Sequence, residues 1–228
     1  MYGSLYIVST PIGNLDDITS RAIQVLNQVN VIAVEDTRVT KRLLTKYDIK
    51  NQMLVYNNFN ESKSSKKLIH LLKDGNDVAL VSDAGTPCIS DPGYSLVNEA
   101  RKENLNIFSV PGPCALVAAL STSGLPSDSF YFEGFLPKKK GRQTKFKFLA
   151  NLECSIVIYE SPNRIIKTLN DIKLFFGDER IVSVQREITK IYEQAFIGNI
   201  SEVLKKFIDK KNKGEFVIII AKESFKYE

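Results

Sequence analysis

Histidine occurs once in this chain, cysteine three times, and no apolar run approaches the roughly 20 residues of a bilayer-spanning helix. Each scarcity removes a class of function. The single histidine, His70, sits inside the helical pattern Leu68-Ile69-His70-Leu71-Leu72. A His-rich metal site is therefore excluded, and a Ser-His-Asp triad would have to be built on that one residue, which a helix surface suits better. Cys88, Cys114 and Cys154 are odd in number, widely spaced and without a CxxC pair. That argues against a zinc site or disulfide framework and fits a reducing cytoplasm, as does an N-terminus lacking a charged-then-apolar leader. Neither a Walker A loop nor GxGxxG occurs, which argues against an NTPase, common dinucleotide binding and the commonest Rossmann methyltransferase pattern. No HExxH or EF-hand spacing offers a metal site.

What is present is a regular alternation. Apolar, β-prone runs at Leu5–Val8, Val31–Val34, Met53–Tyr56, Val78–Val81 and Ile107–Val110 are separated by helical patterns. In the first helix Ile18, Ala22, Val25, Leu26 and Val29 share one face, with Asp16 or Asp17 as the expected cap. Strands alternating with helices at this spacing indicate βα units and a mostly parallel sheet. The unusual loops, 10–16, 35–38, 82–93 and 111–115, all follow strands. In a parallel sheet those ends share one edge, so the four loops should converge on one pocket.

At 228 residues there is room for one large domain or two small ones. Composition shifts around the Pro- and Gly-bearing stretch Ser123–Ser127, and beyond it helices become fewer per strand. Strands are expected over 129–135, 155–159, 181–184, 192–197 and 215–221, with a basic helix over 200–211. The expected class is α/β, with a mostly parallel sheet in a domain over 1–113 and a mixed sheet in a second over 114–228.

The net charge of +5 is mild, so it matters only where cations cluster. Lys138, Lys139, Lys140, Arg142, Lys145 and Lys147 place six cations in ten residues, interleaved with Phe146 and Phe148. A solvated basic face is the ordinary reading; a run that starts in a Pro/Gly loop and carries phenylalanines also suits RNA, through phosphate contacts and base stacking. Glu35-Asp36-Thr37-Arg38, Glu160-Ser161-Pro162-Asn163-Arg164 and Arg186-Glu187-Ile188-Thr189-Lys190 each put acid and base together at a strand end. Any one could be a surface ion pair or helix cap; three in one small chain suggest a site.

Thr10–Leu15, Glu35–Arg38, Ser82–Pro87 with Ser90–Gly93, Val110–Pro113, Phe132–Pro137, Tyr159–Pro162 and Arg186–Lys190 occur in that order. Together they resemble the bacterial small-subunit rRNA (cytidine-2′-O)-methyltransferases of the tetrapyrrole-methylase superfamily, over essentially the whole chain. The resemblance implies a two-domain tetrapyrrole-methylase-like fold, S-adenosylmethionine bound in the cleft between the domains, no metal, a homodimer and a cytidine ribose of 16S rRNA, free or in the 30S subunit, as substrate. It also implies that Pro11, Asp83, Ala84, Gly85, Thr86, Ile89, Cys114, Ala115, Glu160 and Ser183 contact the cofactor. Candidates near the reacting hydroxyl are Glu35, Asp36, Asp83, Glu160, Glu187 and Lys190. Arg38, Lys138, Lys139, Lys140, Arg142 and Arg164 are the candidate RNA contacts. The chain departs from its relatives at Asn57-Asn58-Phe59-Asn60 and at Asn163, where they usually carry His, and at Cys114, where Ser is common. No histidine base can act at those positions. A small-molecule substrate such as a precorrin, or an RNA-binding module without catalysis, are the other readings. The lysine run speaks against the first and the intact cofactor motifs against the second.

Overall fold

The computed structural model describes residues 1–208 and 212–226. The chain divides into two compact units, Met1–Cys114 and Ala115–Glu228. In the first, β1 (Ser4–Val8), β2 (Val31–Val34), β3 (Gln52–Val55), β4 (Val78–Leu80) and β5 (Asn106–Val110) pair in the order β3-β2-β4-β1-β5, and every pair is parallel. The helices between them are α1 (Ser20–Gln28), α2 (Thr37–Lys46), α3 (Glu61–Lys73) and α4 (Tyr94–Lys102).

Side chains alternate across this sheet. Ile32 and Val34 pack with Ala22, Leu26, Leu43 and Leu44 of α1 and α2, whereas Val31 and Ala33 pack with Leu68, Leu72 and Leu96 of α3 and α4. Both faces of the central strands β2 and β4 are therefore covered, which is why these read as continuous apolar runs. The first helix begins later than its acids suggest. Thr19 caps α1 by accepting from the Ala22 N–H, while Asp16 and Asp17 belong to a short 3₁₀ turn, Leu15–Asp17, capped by Asn14. Tyr56 lies just past β3 and is buried, its hydroxyl 2.9 Å from Glu61 Oε1.

The second unit holds β6 (Phe130–Phe135), β7 (Ser155–Glu160), β8 (Ile181–Arg186), β9 (Gln194–Asn199) and β10 (Phe216–Ile220) in the order β6-β7-β10-β8-β9. Only β6 and β7 run parallel, so the sheet is mixed. The Ser123–Ser127 stretch lies within this unit, joining α5 (Ala115–Ser123) to β6. Helix α5 packs on β8 and β10. On the unit's main core, side chains of α6 (Arg142–Ala150), α7 (Ile165–Phe176) and α8 (Ile200–Lys205) surround the inward residues of the strands. Residues 209–211 of the helix expected over 200–211 lie outside the described residues. Strand β9 starts at Gln194 rather than 192, because Tyr192 and Glu193 complete a turn closed by the Glu193 N–H on Lys190 O.

The lysine-rich segment is corrected by this fold. From Arg142 onward it is helix α6, and Phe146 is fully buried, stacked on Phe175 at 5.4 Å between centroids. Phe146 is core and cannot stack on a base; Phe148, half-exposed against Tyr131, keeps that option. Replacing Phe146 by Ala should cost about 3–5 kcal/mol in urea unfolding, and replacing Phe148 by Ala well under half of that.

Candidate active site

The carboxyl ends of β1, β4 and β5 are laced together. Thr10 and Gly85 exchange both backbone hydrogen bonds, at 2.8 and 3.0 Å, forming a one-residue antiparallel bridge. Thr10 Oγ1 donates to Ser82 O at 3.0 Å. Ser9 Oγ lies 2.9 Å from Thr86 Oγ1, which in turn donates to Pro113 O at 3.1 Å. Gly85 holds φ at +85°, and a Cβ there would stand 3.3 Å from Ile12 Cγ2; a Cβ on Gly112 would stand 3.0 Å from Ser9 Cβ. Pro11 is buried beside this bridge, Ala84 and Ile89 are exposed, and Thr86 and Cys114 are half-buried. The loops after three strands thus form one rigid, small-residue edge. It lies where the connections diverge, since α1 and α2 take one face of the sheet and α3 and α4 the other, with β4 between β1 and β2.

Next to it, the ends of β2 and β4 clasp each other through their acids. The Asp36 N–H donates to Asp83 Oδ1 at 3.0 Å, and the Asp83 N–H donates to the Glu35 carboxylate. Burial, followed by the charge of Asp83, raises Glu35 above its ordinary value. Burial raises Asp83 too, against the opposing Asp36 N–H bond. Asp91 is pushed up to about 7, by burial first and then by the Glu35 charge, with the Ser82 hydroxyl opposing. Asp36 goes the other way. It caps α2 and pairs with Arg38 at 2.6 Å, which holds its carboxyl down at about 2 and makes it a poor proton acceptor. Arg38 is 88 % exposed, with two of its nitrogens on Asp36.

In the second unit the acid–base clusters are spent on structure. Glu160, 2 % exposed, accepts from Arg164 Nε and the Ser161 N–H on one oxygen, each at 2.7 Å, and from Thr168 Oγ1 on the other at 2.6 Å. Thr168 Oγ1 accepts from Arg142 Nη2 at 2.7 Å, and Arg142 Nε binds Asp171 at 2.7 Å. The two guanidinium groups also donate to the carbonyls of Pro137 and Leu136. Glu160 is therefore a buried, fully occupied ion-pair centre and not a free base. Arg142, 5 % exposed, and Arg164 are clamps on the 136–141 loop and not phosphate ligands. Glu187 and Lys190 are likewise engaged. Burial works against the Glu187 carboxylate, but Lys190 at 2.8 Å and the Glu215 N–H outweigh it and hold Glu187 below its ordinary value. Lys190 is held above its own, by Glu187 and Glu215 against burial. Ser183 is buried in β8, where it accepts from Gln185 Nε2, and Ala115 opens α5.

Lys138, Lys139 and Lys140 are exposed and have no ion-pair partner among the described residues. The asparagines of the 57–60 loop do local work: Asn60 accepts from the Asn57 N–H and Asn57 from the Phe59 N–H, shaping the turn into α3, while Asn163 is exposed. His70 lies on the surface of α3, paired with Asp74 at 2.9 Å. Sequence reasoning passed over Ser9, Thr10, Asp91 and Thr168. An Asp-Pro step inside the longest strand-end loop was the available signal for Asp91, whereas nothing local marks Thr168 as the hinge of a buried network.

Residues 4–204 match the family described as Tetrapyrrole (Corrin/Porphyrin) Methylases. A protein of Thermotoga maritima named ribosomal RNA small subunit methyltransferase I is 48 % identical over 96 % of this chain and 98 % of its own length. Its namesake in Vibrio cholerae is 47 % identical over 95 % of this chain and 76 % of its own. Among solved structures, diphthine synthase aligns with a TM-score of 0.76 at 12 % identity over 98 % of this chain and 92 % of that one. Uroporphyrin-III C-methyltransferase from Thermus thermophilus, complexed with S-adenosylhomocysteine, aligns at 0.66 and 16 % identity over 96 % and 97 %. These two likenesses concern the fold.

The raised carboxyl of Asp91 has a stability consequence. Between about 4 and about 7 the folded chain holds a proton that an unfolded Asp, with its ordinary value of 3.8, has released. Stability should therefore fall as pH rises through that window. Asp91→Asn should remove the fall and stabilise the protein at pH 8 by roughly 1–2 kcal/mol, once solvent screening of the partly exposed group is allowed for. Urea unfolding of both forms at pH 4.5 and pH 8 measures it.

Proposed function

The chain belongs to the tetrapyrrole methylase family, and on that premise we propose that it transfers a methyl group from S-adenosylmethionine to the ribose 2′-hydroxyl of a cytidine in the 16S RNA of the small ribosomal subunit. The observation that carries the reading is the near-full-length similarity to proteins named ribosomal RNA small subunit methyltransferase I. We assign the cofactor's cradle in the first unit to Pro11, Ala84, Gly85, Thr86, Ile89 and Cys114. The fit is physical: at Gly85 and Gly112 the place of a Cβ is taken by Ile12 and Ser9, so the three loops pack directly on one another and present a fixed backbone edge to a ligand. Bound, S-adenosylmethionine supplies a methyl already activated by its sulfonium.

The protein's remaining task is alignment and removal of a proton. The laced loops hold the edge rigid, through the Thr10–Gly85 bridge and the Ser9–Thr86–Pro113 chain of hydrogen bonds. Asp83 secures the end of β2 through the Asp36 N–H, a supporting role. Of the acids at this edge, Asp91, at about 7, is the one matched to accepting a proton at neutral pH. Exposed Lys138, Lys139 and Lys140 meet the RNA phosphates. The cytoplasm, where ribosomal RNA is found, and the homodimer implied by the family resemblance complete the reading; sedimentation at micromolar concentration should give twice the 25.7 kDa chain mass.

Two outcomes test the chemistry. Gly85→Val should weaken S-adenosylmethionine binding by at least about tenfold in calorimetry, because the valine meets Ile12 and demands a φ that it rarely adopts. Methyl transfer to 30S particles should rise with pH through about 7, as the acceptor must be ionised. A rate that is flat from pH 6 to 8 would remove Asp91 from that role.

A further inference from the structure

Where α6 and α7 meet in the second unit there is a cavity of about 330 Å³, near the lower end of small-ligand pockets. Two lysines from different segments line it: Lys139, in the loop before α6, and Lys167, in the first turn of α7. Both are exposed, and neither has an ion-pair partner among the described residues. The acid that lines the same cavity, Asp171, is neutralised by Arg142 at 2.7 Å. Arg142, also part of the lining, spends three of its five N–H groups on Asp171, Pro137 O and Thr168. The cavity is thus a net positive recess on a rigid floor. The Thr168–Glu160–Arg164 network extends that floor and fixes the loop that carries Lys139.

We propose that this recess binds a phosphodiester of the RNA substrate's backbone, with Lys139 and Lys167 as its ligands. The inference rests on the rRNA reading above and adds a site to it. A phosphate is the chemistry that two unpaired ammonium groups and a polar recess recognise. A polynucleotide, rather than free phosphate, is favoured by what surrounds the recess. Lys138, Lys140 and Lys147 continue the positive charge along the same segment, again without ion-pair partners among the described residues, and half-exposed Phe148 lies on that helix. A track of cations with an aromatic beside it suits a chain of phosphates and bases; a single anion would need only the recess.

The test uses the full-length chain with 30S particles or 16S rRNA as the probe, comparing wild type with a Lys139→Gln/Lys167→Gln double variant. Both positions are exposed, so folding should be preserved, and circular dichroism checks that. The expected results are RNA affinity lowered by about fivefold or more, a salt slope shallower by about 1–2 log units per log unit of salt, and unchanged S-adenosylmethionine affinity. A Lys66→Gln/Lys67→Gln variant removes the same charge from α3. If it weakens RNA binding as much, net charge alone is at work and the recess is not a site. RNA affinity and salt slope that stay at wild-type values in the first variant would also overturn the proposal. So would calorimetry in which wild type binds inorganic phosphate and the variant loses only that, keeping RNA. A wild type that binds RNA but methylates none, with the variant still weakened, leaves the recess standing and removes the rRNA-methylation reading.

Discussion

Five strands running the same way must present all their carboxyl ends at one edge, and most of what this protein offers for chemistry follows from that constraint. Each parallel crossover needs a helix, and each helix covers one sheet face, so the only place left for irregular backbone is the strand ends. Here the loops after β1, β4 and β5 are bound to one another by the Thr10–Gly85 bridge and the Ser9–Thr86–Pro113 relay. Loops tied this tightly behave as part of the scaffold, which is what a cofactor cradle requires.

The same edge concentrates negative charge. Glu35 ends β2, and Asp83 and Asp91 follow β4, so topology alone crowds three carboxyls that burial then raises. Asp36, two residues before the arginine that neutralises it, escapes the effect because it faces solvent and a cation. Four acids close in space therefore divide by environment into one held ionised and three pushed toward neutrality.

The second unit shows the opposite use of charge. Its Glu160 and Arg142 are taken out of water and paired with half-buried Arg164 and Asp171, with Thr168 between the two halves of the network. Such a network would be strongly destabilising with one member missing, because a buried charge would lose its partner. Its product is a loop held at two carbonyls, Leu136 and Pro137, from which Lys138, Lys139 and Lys140 project into solvent.

Much of this was legible in the order of residues. The apolar runs separated by 3.6-period patterns marked every strand of the first sheet to within one or two residues; in the central strands β2 and β4, two-sided burial leaves no polar alternation to confuse the reading. The Gly- and Pro-bearing loops marked the edge, and the ordered motifs marked the family. What the order of residues could not decide was which charges are free. An arginine beside lysines looks like another phosphate contact, and Glu160 beside Arg164 looks like a catalytic pair, until packing buries Arg142 against Asp171 and Thr168. Phe146 and Phe148 differ for the same reason, one rotated into the core and the other left at the surface by the turn of a single helix. Periodicity is a local property of the chain and survives in the sequence; desolvation and pairing depend on residues some 20 to 30 positions away, and only the tertiary structure brings those together.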